Sequence, residues 1–366
     1  MNEPEPLQQV RRTYVRYRGR ELSYFTGCDY FRMASHPRVL AAVKEGLKRY
    51  GLNVAASRRT TGNHVAYLAL EKQLAQFFGA EAGLLVTSGY ATNLVVAQAH
   101  TGNFSHALID EKSHVSLADA AQFLNCPVLT FAHRDVASFG QALERCGKSA
   151  RPIVLTDGMF SRDGSVAPLQ GYLKLLPRDG LLVVDDAHGA GILGKKGGGA
   201  VDLEGADRAR LIQCVTLSKA FGVFGGVILS SRKTREQLVN RSSIFVGSTP
   251  LPLPLAHAAD VSVKLVKRNP QLRVKLHRNA DFVKTALRRA GMQLPDHPGP
   301  IFPFHLPSAK RNAALHRALL AGGIFPSFIN YLGGPNSGYF RFVISSEHAQ
   351  RQLDQLVTVL TPFVEK

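Results

Sequence analysis

Short apolar runs alternate with longer amphipathic stretches between about residue 37 and residue 230. Apolar runs of this kind suit buried strands, and amphipathic stretches suit helices that cover the faces of a sheet. Repeated alternation of the two is typical of βαβ units and of a mostly parallel sheet. The sequence therefore predicts an α/β fold with flanking helices, the first two over about 37–49 and 66–78. Its strands are expected at 83–87, 106–110, 127–130, 152–156, 181–185, 211–216 and 223–229.

Three prolines mark the end of this region. Pro250, Pro252 and Pro254 rule out a regular strand and indicate a junction. Beyond them a long helix is predicted over about 256–268, resuming over 271–291, and it leads to a smaller α+β region. We therefore expect an N-terminal segment over 1–36, a large domain over 37–249 and a small C-terminal domain over 250–366.

Two reactive side chains follow neighbouring strands. Asp185 ends an apolar run, and Lys219 lies just after the next one, in the segment Thr216-Leu217-Ser218-Lys219. Ligands of open α/β sheets bind at the carboxyl ends of the strands. A lysine there can form a Schiff base beside hydroxyls that contact a phosphate, and an aspartate can keep a pyridine nitrogen protonated. The ordered pair predicts pyridoxal 5'-phosphate (PLP) as the cofactor.

Other strand ends carry residues that suit the same cofactor. His188, three residues after Asp185, can hydrogen-bond a phenolic oxygen, and His114, after the strand over 106–110, can stack on a pyridine ring. The turn Ser88-Gly89-Tyr90 joins a strand to a helix, whose N-terminal N–H groups can hold a phosphate. We assign these residues to the same predicted site.

One glycine-rich segment resembles a nucleotide-binding loop. The stretch 189–196 follows the spacing of a phosphate-binding P-loop, but its last position is Lys196 instead of the serine or threonine that would hold magnesium. In a P-loop the segment joins a strand directly to a helix, whereas here it comes after Asp185, beyond the end of the predicted strand. We therefore reject a nucleotide triphosphatase.

The formal net charge of +18 is spread along the chain. Nucleic-acid-binding proteins usually concentrate such charge on one motif or arm, so the spread argues against that function. A basic surface without a specific partner accounts for the charge, and the functional alternative is attraction of an anionic acyl-CoA or an acidic carrier protein. Part of the charge falls on one predicted helical face, formed by Lys264, Lys267, Arg268, Lys275 and Arg278.

The remaining composition indicates a cytoplasmic protein. No run of eighteen apolar residues predicts a membrane-spanning helix, and the polar start lacks the apolar stretch of a signal peptide. The four cysteines, at positions 28, 126, 146 and 214, have no metal-binding spacing and fit reduced thiols. We expect no metal site and no membrane partner.

Taken in order, these motifs resemble the α-oxoamine synthases, PLP enzymes of fold type I, over nearly the whole chain. The resemblance also includes these segments: Gly27-Cys28-Asp29-Tyr30, Ser35-His36-Pro37, Ala56-Ser57-Arg58, Gly62-Asn63-His64, Leu70-Glu71, Phe160-Ser161-Arg162-Asp163-Gly164, Ala167-Pro168-Leu169, and Arg341 ahead of Ser345-Ser346-Glu347-His348. It implies a homodimer with active sites shared between subunits. It also implies the decarboxylative condensation of an amino acid with an acyl thioester, carried by CoA or a carrier protein, to give an α-amino ketone.

The matching motifs imply a role for each site residue. The cofactor contacts would be Lys219 (Schiff base), Asp185 (pyridine nitrogen), His114 (ring stacking), Ser161 and His188 (phenolic oxygen), and Ser88, Gly89, Tyr90 and Thr216 (phosphate). Ser248 falls near the segment that reaches a neighbouring subunit's phosphate. Arg341 corresponds to the arginine that pairs with the substrate carboxylate, a task suited to a guanidinium. Lys219, His114, Asp185 and His188 would act in catalysis.

Two segments depart from the family pattern. The family usually reads Asn-Asp-Tyr-Leu-Gly where this chain has Cys28-Asp29-Tyr30-Phe31-Arg32, and Ser-Thr-Ser where it has Val246-Gly247-Ser248-Thr249. The amino acid, the acyl chain and the thioester carrier therefore stay open. An aminotransferase or aldolase-like PLP enzyme is the alternative, and so is an inactive subunit of the same fold. The intact Lys219, Asp185 and His114 argue against an inactive subunit.

Overall fold

The computed structural model describes residues 6–330 and 338–364. By its internal contacts the chain divides into a smaller unit, comprising Met1–Ser35, Arg162–Ser165 and Gln271–Lys366, and a larger unit, comprising His36–Ser161 and Val166–Pro270. By this measure residues 250–270 belong to the larger unit, whereas the sequence places the junction at residue 250. The assignment of domains to 1–36, 37–249 and 250–366 stays a prediction.

The N-terminal part of the smaller unit is an antiparallel meander. Its strands are β1 (Gln9–Arg11), β2 (Tyr14–Tyr17) and β3 (Arg20–Ser23). Val15 and Leu22 face each other in this sheet, and both are buried. The meander was not predicted, because its strands are only three or four residues long and show little periodicity.

Two helices open the larger unit, α1 (Pro37–Tyr50) and α2 (Val65–Phe78). The imidazoles of His36 and His64 cap them by accepting hydrogen bonds from backbone N–H groups two residues later. Helix α1 ends at Gly51, whose φ of 68° favours glycine. Both helices agree with the sequence prediction to within one residue at each end.

A seven-stranded sheet forms the centre of the larger unit. Its strands are β4 (Ala82–Val86), β5 (His106–Asp110), β6 (Val128–Phe131), β7 (Pro152–Asp157), β8 (Leu181–Asp185), β9 (Leu211–Thr216) and β10 (Gly226–Ser230). They are ordered β4-β10-β9-β8-β7-β5-β6, and β10 alone of these seven runs in the direction opposite to the other six. This mostly parallel sheet confirms the predicted α/β fold.

Further helices follow along the larger unit, and some of them pack on this sheet. They are α3 (Gly89–Ala99), α4 (Val115–Ala121), α5 (Val136–Cys146), α6 (Leu169–Leu175), α7 (Ala200–Leu203), α8 (Arg232–Arg241), α9 (Ser243–Gly247) and α10 (Leu253–Arg268). Helix α10 begins three residues earlier than predicted, because Pro254 lies in its first turn, where a missing N–H costs nothing. The central strands β8 and β9 are buried almost throughout, as expected for a sheet covered on both faces.

The C-terminal part of the smaller unit is α+β, as predicted. It consists of α11 (Gln271–Arg289), β11 (Ile301–Phe304), α12 (Ala309–Ala321), β12 (Phe328–Ile329), β13 (Tyr339–Val343) and α13 (Gln350–Leu360), with antiparallel strands ordered β11-β13-β12. Its core includes Phe302, Phe340 and Phe342. Across the described ranges, 6–330 and 338–364, no helix combines the length and the apolar character needed to cross a membrane.

Candidate active site

An open cavity of about 590 Å³ lies in the larger unit, where several parallel strands end. It is lined by Ser88, Gly89, Tyr90, His114, Ser116, Asp157, Asp185, Ala187, His188, Thr216, Ser218 and Lys219. Eight of the eleven predicted site residues are among them, so the structure brings together side chains that are up to 131 positions apart, from Ser88 to Lys219.

Asp185 is the last residue of β8 and is only 6% exposed. Its Oδ1 accepts a hydrogen bond from the backbone N–H of Ala187 at 3.1 Å, and its Oδ2 accepts one from Asn93 Nδ2 at 2.6 Å. Two donors on separate elements therefore fix the orientation of this carboxyl group. Asn93 lies on α3, and no role was predicted for it from the sequence.

A second buried carboxyl group, Asp157, lies next to Asp185. It ends β7 in register with Asp185, and its Oδ2 accepts the backbone N–H of His114 at 2.7 Å. Burial and the neighbouring Asp185 raise the pKa of Asp157 well above its usual range. Because two adjacent carboxyl groups ionise together only at high cost, the proximity of Asp185 favours the protonated form of Asp157. A polar residue at the end of an apolar strand was the signal that could have identified it.

Lys219 is half-buried, three residues beyond the end of β9. Thr216, the last residue of β9, and Ser218 precede the lysine in the chain, and their hydroxyl oxygens are 2.8 Å apart. The chain from 217 to 225 turns back on itself, since Leu217 N donates to Gly225 O and Val223 N donates to Leu217 O. This turn occupies residues 223–225, so β10 begins at Gly226 instead of the predicted residue 223.

The start of α3 contacts the end of β9. A Cβ atom added to Gly89 would lie 2.7 Å from Cβ of Thr216, so only glycine allows this approach. Ser88 caps the helix by accepting the N–H of Ala91 at 3.2 Å. The first N–H groups of a helix have no partner within the helix and attract anions. This end of α3 therefore suits a phosphate group beside the Thr216 hydroxyl.

His114 caps α4 and is exposed to the cavity. Burial of part of the ring and the nearby Lys219 lower its pKa, while Asp185 opposes that effect. The ring of Tyr90 lies edge-on to His114, with 6.5 Å between the centroids, and the Tyr90 hydroxyl donates a hydrogen bond to Asp119. The exposed imidazole face can pack against a planar ring in the cavity.

The loop that carries His188 is held by carboxyl groups of its own chain. Asp186 Oδ2 accepts the backbone N–H of Ala200 at 2.8 Å. Further along, Asp202 Oδ2 accepts the N–H groups of Lys196 at 2.8 Å and Gly198 at 3.2 Å. At Lys196, the last residue of the segment that resembles a P-loop, a carboxylate therefore takes a backbone N–H group that a phosphate would need. This agrees with the rejection of a nucleotide triphosphatase.

Three predicted residues lie outside the cavity lining. Ser161 is on the loop after β7, and Arg341 is on β13 of the smaller unit, opposite Pro303 of β11. Ser248 follows α9, where its hydroxyl donates to Ile244 O, and it lines a separate cavity of about 290 Å³ with Arg58, Thr87 and Thr249 among others. Their roles stay predictions.

Arg32, which departs from the family pattern, occupies a backbone conformation that suits glycine. Arg32 has a φ of 54°, in the left-handed region where the glycine of the family pattern is favoured. Its side chain is buried, and Nη2 donates to the Tyr24 carbonyl at 3.1 Å. The backbone thus keeps a conformation suited to glycine although the residue is arginine.

Comparison with known proteins places the chain in a family. The profile described as aminotransferase class I and II matches residues 28–360. The 8-amino-7-oxononanoate synthase of Trichlorobacter lovleyi is 34% identical over 361 residues, which cover 97% of this chain and 92% of that protein. A serine palmitoyltransferase of S. paucimobilis, solved with a bound PLP–myriocin adduct, has a TM-score of 0.91 at 24% identity and covers 98% of this chain and 92% of its own. The 8-amino-7-oxononanoate synthase of Francisella tularensis has a TM-score of 0.81 at 23% identity, and the match covers 93% of this chain and 97% of that protein.

Proposed function

Because the chain belongs to the α-oxoamine synthases, within the class I and II aminotransferase family, we propose that its reaction takes place in the cavity between Asp185 and Lys219. The chain is a PLP-dependent acyltransferase that condenses an amino acid with an acyl thioester and releases carbon dioxide. The cavity supports the assignment of individual residues to this reaction, and the relatives support the choice of substrates.

The residues around the cavity fit PLP. Gly89 allows the N-terminus of α3 to approach Thr216, which leaves N–H groups and a hydroxyl side by side for a phosphate. Asp185 supplies a buried carboxyl group that accepts two hydrogen bonds, and Lys219 supplies the amine. An aldehyde, a ring nitrogen and a phosphate need these three kinds of partner, so the donor set matches the cofactor.

Each residue has a proposed role. When bound, PLP takes up the electron pair left on a carbon beside an amino group. Lys219 would hold the cofactor covalently, and its Nζ is the base available to remove a proton from the amino acid. Asp185 would keep the ring nitrogen protonated, and His114 would cover one ring face. The remaining contacts follow the family pattern: Ser161 and His188 at the phenolic oxygen, Ser88, Gly89, Tyr90, Thr216 and the partner subunit's Ser248 at the phosphate, and Arg341 at the substrate carboxylate.

One observation carries this proposal: Asp185 and Lys219, which end or follow adjacent strands β8 and β9, line the same cavity. Reduction of the holoenzyme with borohydride and peptide mapping should find the cofactor on Lys219. The Lys219→Ala variant should lose covalent cofactor, whereas Lys112→Ala, on the loop just before His114, should retain it. Cofactor mapped to another lysine would show that the cavity is misassigned.

The names of the relatives suggest a substrate pair. In 8-amino-7-oxononanoate, carbon 8 carries the amino group and carbon 9 is the terminal methyl group, while carbons 1–7 form a chain with a ketone at one end and a carboxylate at the other. Disconnecting the α-amino ketone between carbons 7 and 8, and restoring the carbon dioxide that the reaction releases, gives alanine and a seven-carbon dicarboxylic acyl thioester. We propose this pair for the present chain, since the relative at 34% identity covers nearly its whole length.

The substrate proposal is tested with a matrix of reactions. Alanine, serine and glycine are each combined with dicarboxylic and unbranched monocarboxylic thioesters, presented by CoA or by a carrier protein, and the products are analysed by mass spectrometry. Alanine with the dicarboxylic donor should give the largest turnover. A higher turnover with serine and a long monocarboxylic donor would instead place the chain with the palmitoyltransferases.

We also propose a homodimer with shared active sites. Helices α1 and α2, which both pack on α10, expose the large apolar side chains Leu40, Leu47, Val65 and Leu68. Exposed apolar side chains on neighbouring helices are typical of subunit interfaces. The Leu47→Glu, Val65→Glu double variant should sediment as a monomer and bind PLP more weakly. A wild-type chain that is monomeric at micromolar concentration would contradict the proposal.

A further inference from the structure

Four polar side chains form a continuous hydrogen-bonded chain beside the cavity. Asn93 Nδ2 donates to Asp185 Oδ2 at 2.6 Å and to Ser116 Oγ at 2.9 Å. Ser116 Oγ is in turn 2.8 Å from Nδ1 of His114. Asn93 and Ser116 are each 1% exposed. Two side chains without a role in the proposed reaction thus connect the carboxyl group at the end of β8 with the imidazole at the start of α4.

The protons in this chain can be assigned from the distances. His114 Nδ1 accepts the backbone N–H of Ser116 at 3.2 Å, because His114 is the capping residue of α4. The single hydroxyl proton of Ser116 has two possible acceptors, His114 Nδ1 at 2.8 Å and Asp185 Oδ2 at 3.5 Å. The shorter distance favours Nδ1, because a hydrogen bond weakens as it lengthens.

Nδ1 of His114 is therefore an acceptor for two donors. A proton on Nδ1 would face the Ser116 N–H directly, and the ring would lose that hydrogen bond. A neutral imidazole carries one proton, so it must lie on Nε2. Within the ranges 6–330 and 338–364, no protein group accepts a hydrogen bond from Nε2, and His114 lines the cavity.

The charges near His114 are consistent with a neutral ring. Burial is the largest influence and lowers its pKa. Asp185 and Asp119 act in the opposite direction, while Lys219 lowers the pKa further. The net shift is downwards, so the ring is uncharged near pH 7.

We propose that Asn93 and Ser116 are positioning residues that hold His114 as its neutral Nε2–H tautomer and orient the Asp185 carboxyl group towards the cavity. The importance of this for the reaction depends on the roles proposed above for His114 and Asp185, but the tautomer itself does not. Held in this way, His114 presents a hydrogen-bond donor to an oxygen atom of a substrate and is not available as a base through Nδ1.

The tautomer can be measured directly in the holoenzyme labelled with ¹⁵N-histidine. The His114→Asn variant identifies the resonances of His114. In the wild type at pH 7 we expect Nδ1 to resonate as an unprotonated nitrogen and Nε2 as a protonated one. In Ser116→Ala the hydroxyl donor is lost and only the backbone N–H remains, so the two resonances should move towards each other as the tautomers mix.

Ser113→Ala is the matched control. Ser113 directly precedes His114, and its buried Oγ has no hydrogen-bond partner among the residues that the structure describes. Its removal should leave both resonances of His114 unchanged. The proposal is wrong if wild-type Nδ1 is protonated, if Ser116→Ala leaves the pair of resonances unchanged, or if Ser113→Ala shifts them equally.

A second variant tests the connection to Asp185. Asn93→Leu keeps the side-chain size but removes the donor to Asp185 and to Ser116, so the PLP dissociation constant should rise about tenfold or more, the loss expected for a charge-assisted hydrogen bond. If Asn93→Leu does not fold, Asn93→Ser provides a smaller change at the same position. An unchanged dissociation constant in a folded variant would remove Asn93 from the proposal. If wild-type protein binds no PLP at Lys219, the proposed reaction fails, while the ¹⁵N measurement on the protein without cofactor still decides the tautomer.

Discussion

Gln213 Nε2 donates a hydrogen bond of 2.7 Å to the carboxyl group of Asp186, the residue after Asp185. Both side chains are fully buried. The opposite side of the amide is also fixed, because Oε1 of Gln213 accepts from Arg208 Nη2 at 2.5 Å. Gln213 therefore ties β9 to the loop that carries His188, and Asp186 is an ionisable group inside the larger unit.

Replacing Asp186 by asparagine should change how stability depends on pH. Burial is the main cause that raises the pKa of Asp186 to about 7, although hydrogen bonds from Gln213 and Ala200 oppose it. A carboxyl group whose pKa is higher in the folded state stabilises that state while it is protonated. This contribution is complete below about pH 4 and is lost as the pH rises through about 7. An asparagine side chain cannot ionise, so the variant lacks this contribution.

We therefore expect the unfolding free energy of Asp186→Asn to fall less between pH 5 and pH 8 than that of the wild type, by on the order of 2–3 kcal/mol. Urea denaturation at both pH values measures it. Asp207→Asn, at an exposed aspartate that accepts the nearby Ala209 N–H, should behave like the wild type. Parallel curves for all three proteins would show that Asp186 does not ionise in this range.

The fold could be predicted from the sequence because its signals are local. Each of the seven strands corresponds to an apolar run, and the ends of α1 are marked by Pro37 and Gly51. The antiparallel direction of β10 was not predicted, although the sequence contains a signal for it. Only nine residues separate β9 from β10, fewer than the crossover between parallel strands requires.

The site could be predicted only in part. Asp185 and Lys219 could be predicted as site residues because a reactive side chain at the end of an apolar run is visible in the sequence. Asn93 lies 92 positions from Asp185 and looks like an ordinary polar residue of a helix. Its contact depends on how α3 packs on the sheet, and neither periodicity nor spacing encodes that packing. The same is true of the bond between Gln213 and Asp186, which are 27 positions apart.

Asp185→Asn should leave PLP bound but lower turnover by several orders of magnitude. The amide of the variant has one oxygen, so it can accept the hydrogen bond of Ala187 or that of Asn93 but not both, and it no longer favours a protonated ring nitrogen. Cofactor titration by absorbance and steady-state turnover separate the two effects. The control is Asp179→Asn, which should retain normal turnover. Asp179 is exposed and lies just before the first residue of β8, at the end of the strand opposite to Asp185. Near-normal turnover in Asp185→Asn would mean that Asp185 is not the electronic partner of the cofactor.

Arg341→Lys should weaken amino-acid binding more than PLP binding. An ammonium group cannot make the two parallel hydrogen bonds that a guanidinium makes with a carboxylate. The expected loss is about 1.5–3 kcal/mol, which raises KM for the amino acid about ten- to hundredfold. Arg289→Lys, in the last turn of α11, should leave KM unchanged. If both variants keep the wild-type KM, Arg341 does not bind the substrate, and Arg32 becomes the next arginine to test.

Salt should slow the reaction at low concentrations of the acyl donor and have little effect at saturation. The chain has a net charge of +18, and both possible carriers of the acyl group, CoA and an acidic carrier protein, are polyanions. Attraction between exposed charges is screened over about 8–10 Å near physiological ionic strength. The value of kcat/KM for the donor should therefore fall as salt is added, while kcat stays nearly constant.

Charge reversal on α10 tests whether that helix contributes to the attraction. Lys267 and Arg268 lie exposed in its last turn, whereas Lys264 already pairs with Asp260. Lys267→Glu with Arg268→Glu should lower kcat/KM for the donor and reduce its salt dependence. Lys264→Gln should have a smaller effect on kcat/KM and on its salt dependence, because Asp260 already partly balances the charge of Lys264. If neither salt nor charge reversal affects the dependence on donor concentration, the positive charge is a solvated surface that does not recruit the donor.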